Sequence, residues 1–183
     1  MAQRILITGR PGVGKTTLVK NTLALLSPIA GGFLTREIRR QGQRVGFLVM
    51  DIHTGREGIL AHRDHKGGPR VGKYGVDVPA FERVGVRALH EALDRKGCIV
   101  IDEIGKMELY SMVFADVVTE VLDSRHPVLA TIPVHRHPFL DALRRRSDVR
   151  LLEVAAANRD RLPEQIAVLL GSADGPERHE RLP

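Results

Sequence analysis

The chain has 183 residues, 43% of them hydrophobic, enough to bury the core of one ordinary domain, which excludes a disordered chain. Aromatics make up only 4% and Trp is absent, so Val, Ile, Leu and Ala must fill that core, as in parallel strands covered on both faces. The net charge is +6, but the basic residues are scattered apart from Arg144-Arg145-Arg146, which argues against a nucleic-acid partner, and the single cysteine excludes an internal disulfide.

Arg4-Ile5-Leu6-Ile7-Thr8 reads as a short buried strand. A glycine-rich turn follows. From Lys15, Leu18, Val19, Leu23 and Leu26 fall at helical spacing, and Ser27-Pro28 predicts the helix end. Two strand-like runs, 32–39 and 44–50, flank a hairpin turn at Gln41-Gly42-Gln43, and a third run lies at 57–61. Together they predict an antiparallel meander. Residues 62–78 are loop-like, with a short strand at 71–76. Pro79 opens a predicted amphipathic helix carrying Phe81, Val84, Ala88, Leu89, Ala92 and Leu93, stopped at Gly97.

Three strand–helix units complete the pattern. Cys98 to Asp102 leads to a helix carrying Leu109, Val113, Val117 and Val121. Val128 to Ile132 leads to one opened by Pro138, and Val149 to Val154 to one carrying Leu162, Ile166, Leu169 and Leu170. The alternation predicts an α/β fold with a largely parallel, doubly wound sheet and the meander added to it. Residues 1–171 are expected to form the domain and 172–183 a flexible polar tail. The N-terminus enters a strand directly with no signal-peptide pattern, and no stretch reaches the roughly 20 apolar residues of a membrane span. A cytoplasmic monomer is the expectation, with Cys98 a small buried hydrophobe.

Gly9-Arg10-Pro11-Gly12-Val13-Gly14-Lys15-Thr16 has the spacing G-x-x-x-x-G-K-[ST], between a strand and a helix. Glycines let the backbone curl until successive N–H groups converge on phosphate oxygens, and the helix adds its positive dipole end. Lys15 is expected to bridge the β- and γ-phosphates, and the Thr16 hydroxyl to ligate Mg²⁺. The chain therefore reads as a binder of nucleoside triphosphates.

Ile99-Val100-Ile101-Asp102-Glu103 is an apolar strand ending in two carboxylates. At that place in a P-loop protein an acid holds Mg²⁺, a role assigned to Asp102. Glu103, one residue on, is expected to orient or deprotonate the water that attacks the γ-phosphorus; the bland alternative is a capping or surface acid. Lys106 reads equally as a cation for the transferring phosphoryl group or as a solvated lysine. Glu108 reads as a first-turn acid suited to the helix dipole.

GRPGVGKTT at 9–17 together with IDEIGKMEL at 101–109 resembles the thermostable-type P-loop nucleoside-triphosphatases, relatives of the cancer-related nucleoside-triphosphatase. Gly32-Phe33-Leu34-Thr35-Arg36-Glu37-Ile38-Arg39, Val71-Gly72-Lys73-Tyr74, Phe81-Glu82, Thr131-Ile132-Pro133 and Asn158-Arg159-Asp160 extend the likeness over residues 3 to about 170. The resemblance implies a three-layer, RecA-like domain and slow hydrolysis of ATP, GTP and other triphosphates to diphosphate and phosphate. It implies nucleotide-binding roles for Gly9, Arg10, Pro11, Gly12, Val13, Gly14, Lys15, Thr16 and Thr17. It implies the same for Ile99, Val100, Ile101, Asp102, Glu103, Ile104, Gly105 and Lys106.

Weaker constellations stand beside these. Asn158-Arg159-Asp160 loosely resembles the guanine-reading N-K-x-D, but its Asp comes one residue early, and a cap on the last helix is the plainer reading. Arg144-Arg145-Arg146 is either a set of lid arginines or a solvated helix face. Arg36 and Arg39 lie on a predicted strand of undecided side. His62, His65, His135 and His137 lack partners at ligand spacing and read as surface histidines. Three rivals to hydrolysis follow: a nucleotide or small-molecule kinase, a nucleotide-timed switch, and a nucleic-acid-dependent ATPase.

Overall fold

A computed structural model describes residues 2–171; the tail expected at 172–183 lies outside the described residues. The strands are β1 (Arg4–Thr8), β2 (Ile29–Arg40), β3 (Gln43–Asp51), β4 (Glu57–His62), β5 (Arg70–Val71), β6 (Tyr74–Val76), β7 (Cys98–Asp102), β8 (Val128–Thr131) and β9 (Val149–Glu153). The helices are α1 (Lys15–Leu23), α2 (Val78–Phe81), α3 (Arg87–Leu93), α4 (Met112–Asp123), α5 (Pro138–Arg144) and α6 (Leu162–Gly171). All nine strands join one sheet in the order β5-β6-β4-β3-β2-β7-β8-β1-β9. From β2 to β9 the pairing is parallel; from β2 outward to β5 it is antiparallel.

β2 belongs to both halves. Ile29 to Leu34 pair in parallel with β7, while Phe33 to Arg40 pair antiparallel with β3. The strand begins at Ile29 rather than at Gly32, because pairing with β7 draws in residues whose Gly-Gly composition reads locally as a turn. Gly32 explains that composition: a Cβ there would stand 1.9 Å from the Val100 carbonyl oxygen, at a φ of +111°. The β2–β3 turn is as read, with Gln41 (φ +48°) and Gly42 (φ +77°) in the left-handed region.

Alternate residues of the central strands feed two cores. Ile5, Ile7, Val100 and Leu129 pack with Leu18 and Val19 of α1 and Ile166 of α6. Leu6, Ile99, Ile101 and Ala130 pack on the opposite side with Leu89, Phe114, Val117 and Leu140. This makes three layers, α/β/α. Phe33, Phe81 and Phe114 meet at ring-centroid distances of 5.1 to 5.8 Å and tie the meander to α2 and α4.

The helix edges differ from the periodicity. α1 ends at Leu23, and the apolar residues beyond it continue in tightened turns, Leu25 N–H donating to Thr22 and Leu26 N–H to Leu23. The helix expected from Pro79 is interrupted by a π-helical turn at Glu82–Val86, where Gly85 lies under the Phe81 ring. After β7, Leu109 lies in a 3₁₀ turn, Glu108–Tyr110, instead of in α4. α4 starts one turn later because Ser111 caps it: its hydroxyl accepts the Phe114 N–H at 3.1 Å and donates to Glu82 at 2.6 Å. Cys98 is buried, and burial pushes its thiol up to about 12.

Candidate active site

β1 delivers the chain at Thr8 into the glycine-rich loop, and α1 leaves it at Lys15. Gly12 (φ +77°) and Gly14 (φ +107°) hold the left-handed conformations that let the loop curl, and Gly14 caps α1 without any side chain. Gly9 is fixed by space: a Cβ there would sit 2.8 Å from the Val154 carbonyl oxygen. The Lys15 ammonium arches back over the loop, donating to the Gly9 carbonyl at 3.1 Å and lying 3.6 Å from Glu103 Oε2. The lysine of the loop and the second acid of the strand end thus share one point in space.

β7 ends one strand away from β8 and two from β1. Asp102 is 1% exposed; its Oδ1 accepts a 2.7 Å hydrogen bond from the Thr131 hydroxyl, while Oδ2 is buried with no hydrogen-bond partner among the described residues. Burial raises its carboxyl above the usual range, opposed by the Thr131 and Thr16 hydroxyls and by the charges of Lys15 and Lys20. Burial also raises Glu103, with Lys15 pulling it down and Asp102 pushing it up.

Glu108 departs from its sequence reading. It does stand in a first turn, that of the 3₁₀ segment, but its side chain is buried instead of facing solvent at a helix end. Burial pushes its carboxyl up to about 8; hydrogen bonds from the Glu108 and Gly105 N–H groups oppose this, and the charges of Glu103 and Asp102 add to it. Gly105 lies between the two glutamates. A Cβ on it would come within 2.8 Å of Glu108 Oε2 and 2.9 Å of Glu103 Oε1, so both carboxyls close on a residue without a side chain.

These groups face a cleft of about 660 Å³. One end is formed by Gly9, Pro11, Gly12, Lys15, Thr16 and Lys20, the middle by Glu103, Lys106, Met107, Glu108 and Pro133 to His135. The other end belongs to the meander, with Thr35, Arg36, Glu37, Phe47, Leu60 and Val71. Asp102 lies below the lining. Arg10, Val13, Gly14 and Thr17 complete the loop and first helical turn without lining the cleft. Ile99, Val100 and Ile101 are wholly buried and support the acids from within the sheet; Ile104, also wholly buried, and Gly105 lie in the turn just beyond β7.

The weaker constellations resolve into structure. Asn158 accepts from the Ala155 N–H at 2.8 Å and donates to the Glu153 carbonyl at 2.9 Å, so its amide ties the β9–α6 loop together. Arg159 reaches the P-loop, its guanidinium 3.5 Å from the Val13 carbonyl. Arg144 binds Asp141 and the Pro133 and His135 carbonyls, and Arg146 joins Asp123 to Asp148, so both are staples rather than lid or solvated residues. Arg36 pairs with Glu57 at 2.8 Å and Arg39 with Glu37. His137 caps α5, while His135 lines the cleft with a pKa lowered by burial and by Arg144, His137 and Lys106. No group of three or more His, Cys, Asp or Glu side chains capable of holding a metal occurs among the described residues. Lys20 and Thr131 gained no role from the sequence motifs; Thr131 stood only in the Thr-Ile-Pro match, and Lys20 lies one helical turn beyond Thr16, the one signal that could have marked it.

Comparison with known proteins agrees with this geometry. The family model described as NTPase matches residues 4–167. The chain is 49% identical over 171 residues to nucleoside-triphosphatase THEP1 of Thermofilum pendens, covering 91% of this chain and 94% of that protein. It is 47% identical over 167 residues to nucleoside-triphosphatase THEP1 of Thermotoga sp. strain RQ2, covering 91% and 95%. The crystal structure of THEP1 from Aquifex aeolicus superposes with a TM-score of 0.84 at 40% identity, over 92% of this chain and 99% of that one. The solution structure of a human cancer-related nucleoside triphosphatase gives 0.81 at 36% identity, over 95% and 100%. On the glycine-rich loop, the paired acids and these likenesses together, the chain belongs to the NTPase family of nucleoside-triphosphatases.

Proposed function

We propose that this nucleoside-triphosphatase cleaves the β–γ anhydride of ATP, GTP and other nucleoside triphosphates with Mg²⁺, slowly and with little regard for the base. The observation that carries the reading is the 3.6 Å approach of Lys15 to Glu103 above the buried, unpartnered oxygen of Asp102. A triphosphate laid along the loop places its γ-phosphate beside both groups. The loop N–H groups and Lys15 then stabilise the charge that spreads over the phosphoryl oxygens. Lys106, which lines the middle of the cleft beside Glu103, adds a second cation.

Glu103 takes the proton of the attacking water. Its raised pKa favours this, since a carboxylate nearer neutrality is the better base. Thr16 and Asp102 supply hard oxygen donors, and an Asp102 oxygen with no protein partner fits a Mg²⁺ ion or its water shell. Bound there, Mg²⁺ would neutralise phosphate charge. The Asn158 amide is engaged with backbone, which supports weak base discrimination. Residues 1–171 are taken as the catalytic domain, acting as a cytoplasmic monomer; among the described residues no helix is long and apolar enough to cross a membrane.

The test is phosphate release from ATP, GTP, CTP and UTP, with and without Mg²⁺. Lys15→Ala and Glu103→Gln are each expected to lose about 100-fold or more in kcat. Glu103→Gln should still bind nucleotide. Wild type that binds nucleotide but releases no phosphate would remove the reading.

A further inference from the structure

The cleft runs past Glu103 to residues of the meander, and that far end has a chemistry of its own. Lys15 points from the loop toward Glu103, so the γ-phosphate end of a bound triphosphate faces β7. On that reading the rest of the nucleotide extends back along the loop, on the side where the Arg159 guanidinium stands 3.5 Å from the Val13 carbonyl. Thr35 on β2, Phe47 on β3, Leu60 on β4 and Val71 on β5 all lie on the opposite side of Glu103, in a sheet that continues past β7 in that direction. Glu103 thus stands at the boundary between the two ends.

We propose that the meander end of this cleft binds a small, uncharged aromatic alcohol, which takes the γ-phosphoryl group in place of water. The proposal rests on the nucleotide-site reading above and extends it to a second substrate. Phe47, Val71 and Met107, each partly buried over the core residue Leu60, offer an apolar surface for a flat ring. The two charged residues that line that end, Arg36 and Glu37, are each held by a partner: Arg36 by Glu57 at 2.8 Å, and Glu37 by Arg39 and Arg44 at 2.6 and 2.7 Å. Neither lining charge is free to take a charged ligand, and such a ligand would give up hydration against the apolar side chains beside them.

The reaction balances without a further reactant. The alcohol oxygen attacks the γ-phosphorus, and its proton passes to Glu103. The bond from the γ-phosphorus to the bridging oxygen breaks, and its electrons leave on the nucleoside diphosphate. Water in the same position gives the hydrolysis already proposed, so release of phosphate is this site working without its second substrate.

The experiment uses ATP labelled at the γ-phosphorus, with benzyl alcohol, pyridoxine, thymidine or adenosine at millimolar concentration, and thymidine monophosphate as the charged counterpart. At least one neutral alcohol is expected to become labelled while phosphate release falls in proportion, and thymidine monophosphate is not. Val71→Trp, which fills the meander end from an edge strand, should lose transfer by about tenfold or more while phosphate release stays within about twofold. Phe47→Leu should act in the same direction and guards against misfolding of the first variant. If none of the four alcohols is labelled while phosphate release proceeds, the acceptor site is refuted and the hydrolase reading stands. If neither phosphate nor any label is released, the hydrolase reading itself fails. Preferential labelling of thymidine monophosphate overturns the assignment of an uncharged ligand.

Discussion

Glu108 shows how far one side chain can depart from the reading its letter invites. Next to a helix-forming run, a glutamate suggests solvent and a helix dipole. The 3₁₀ turn that precedes α4 instead rotates it inward, where Gly105 leaves room for it beside Glu103. Its carboxyl therefore keeps a proton up to about pH 8. In metal-free buffer, raising the pH from the usual carboxylate range lets the unfolded chain ionise at this residue while the folded chain stays neutral. Stability falls across that window and levels off above about 8, where both states are ionised. Glu108→Gln keeps the shape and removes the titration. It should match wild type below about pH 4 and exceed it by roughly 2–4 kcal/mol at pH 8. Urea midpoints measured at each pH check this; a difference independent of pH would mean that the folded protein holds Glu108 as an anion. The motif residues Lys15, Thr16, Asp102 and Glu103 were legible because phosphate and metal chemistry dictates their spacing. Glu108 was not, because its role comes from a turn geometry that no local pattern announces.

At the scale of elements, β2 decides the architecture. Its first half continues the parallel sheet and its second half begins the meander, and both depend on Gly32 lying flat against Val100. Gly32→Ala would drive a methyl group into the Val100 carbonyl, where no flexible side chain can yield, at a φ that L-residues avoid. A loss of at least about 3 kcal/mol is expected, measured by urea unfolding. Gly42→Ala, which also has positive φ but nothing within 4 Å of the new Cβ, isolates the conformational part and should cost about 1 kcal/mol. Equal losses at the two positions would place the whole effect in φ and none in the contact with β7. The hairpin that follows was readable, since Gln41-Gly42 between alternating runs marks its turn. The start of β2 was not, because Ile29 to Gly31 become strand only through pairing with residues nearly seventy positions away. The π-helical turn after α2 was hidden for a similar reason: Val84 and Ala88 keep helical spacing, and only the packing of Gly85 beneath Phe81 reveals the extra residue.

The whole molecule places its two halves around one buried charge. The parallel half brings Asp102 to the end of β7, and Thr131 on the neighbouring β8 satisfies one of its oxygens. The other oxygen is left without a protein partner in a position 1% exposed, so the fold carries a penalty that a bound cation would offset. This predicts a conflict between stability and function at a single residue. Asp102→Asn retains an oxygen for Thr131 and removes the cost of burying a carboxylate, although its amide nitrogen inherits the unpartnered position, so the metal-free protein should gain stability at neutral pH. The gain should shrink on acidification toward the usual carboxylate range, because the wild-type carboxyl, raised by burial, then becomes neutral as well. Ligand linkage should run the other way. With Glu103→Gln as background to prevent turnover, ATP at about 100 times its Kd should add about 2.7 kcal/mol of stability, and Mg²⁺ should increase the shift. In the Asp102→Asn, Glu103→Gln double variant the Mg²⁺-dependent part of that shift should vanish while a metal-independent part, held by the loop and Lys15, remains. Thermal midpoints with and without Mg²⁺ separate the two contributions. A lower midpoint for metal-free Asp102→Asn would show that Lys15 and Lys20 already compensate the charge. A persistent Mg²⁺-dependent shift would move the metal from Asp102 to other oxygens of the cleft.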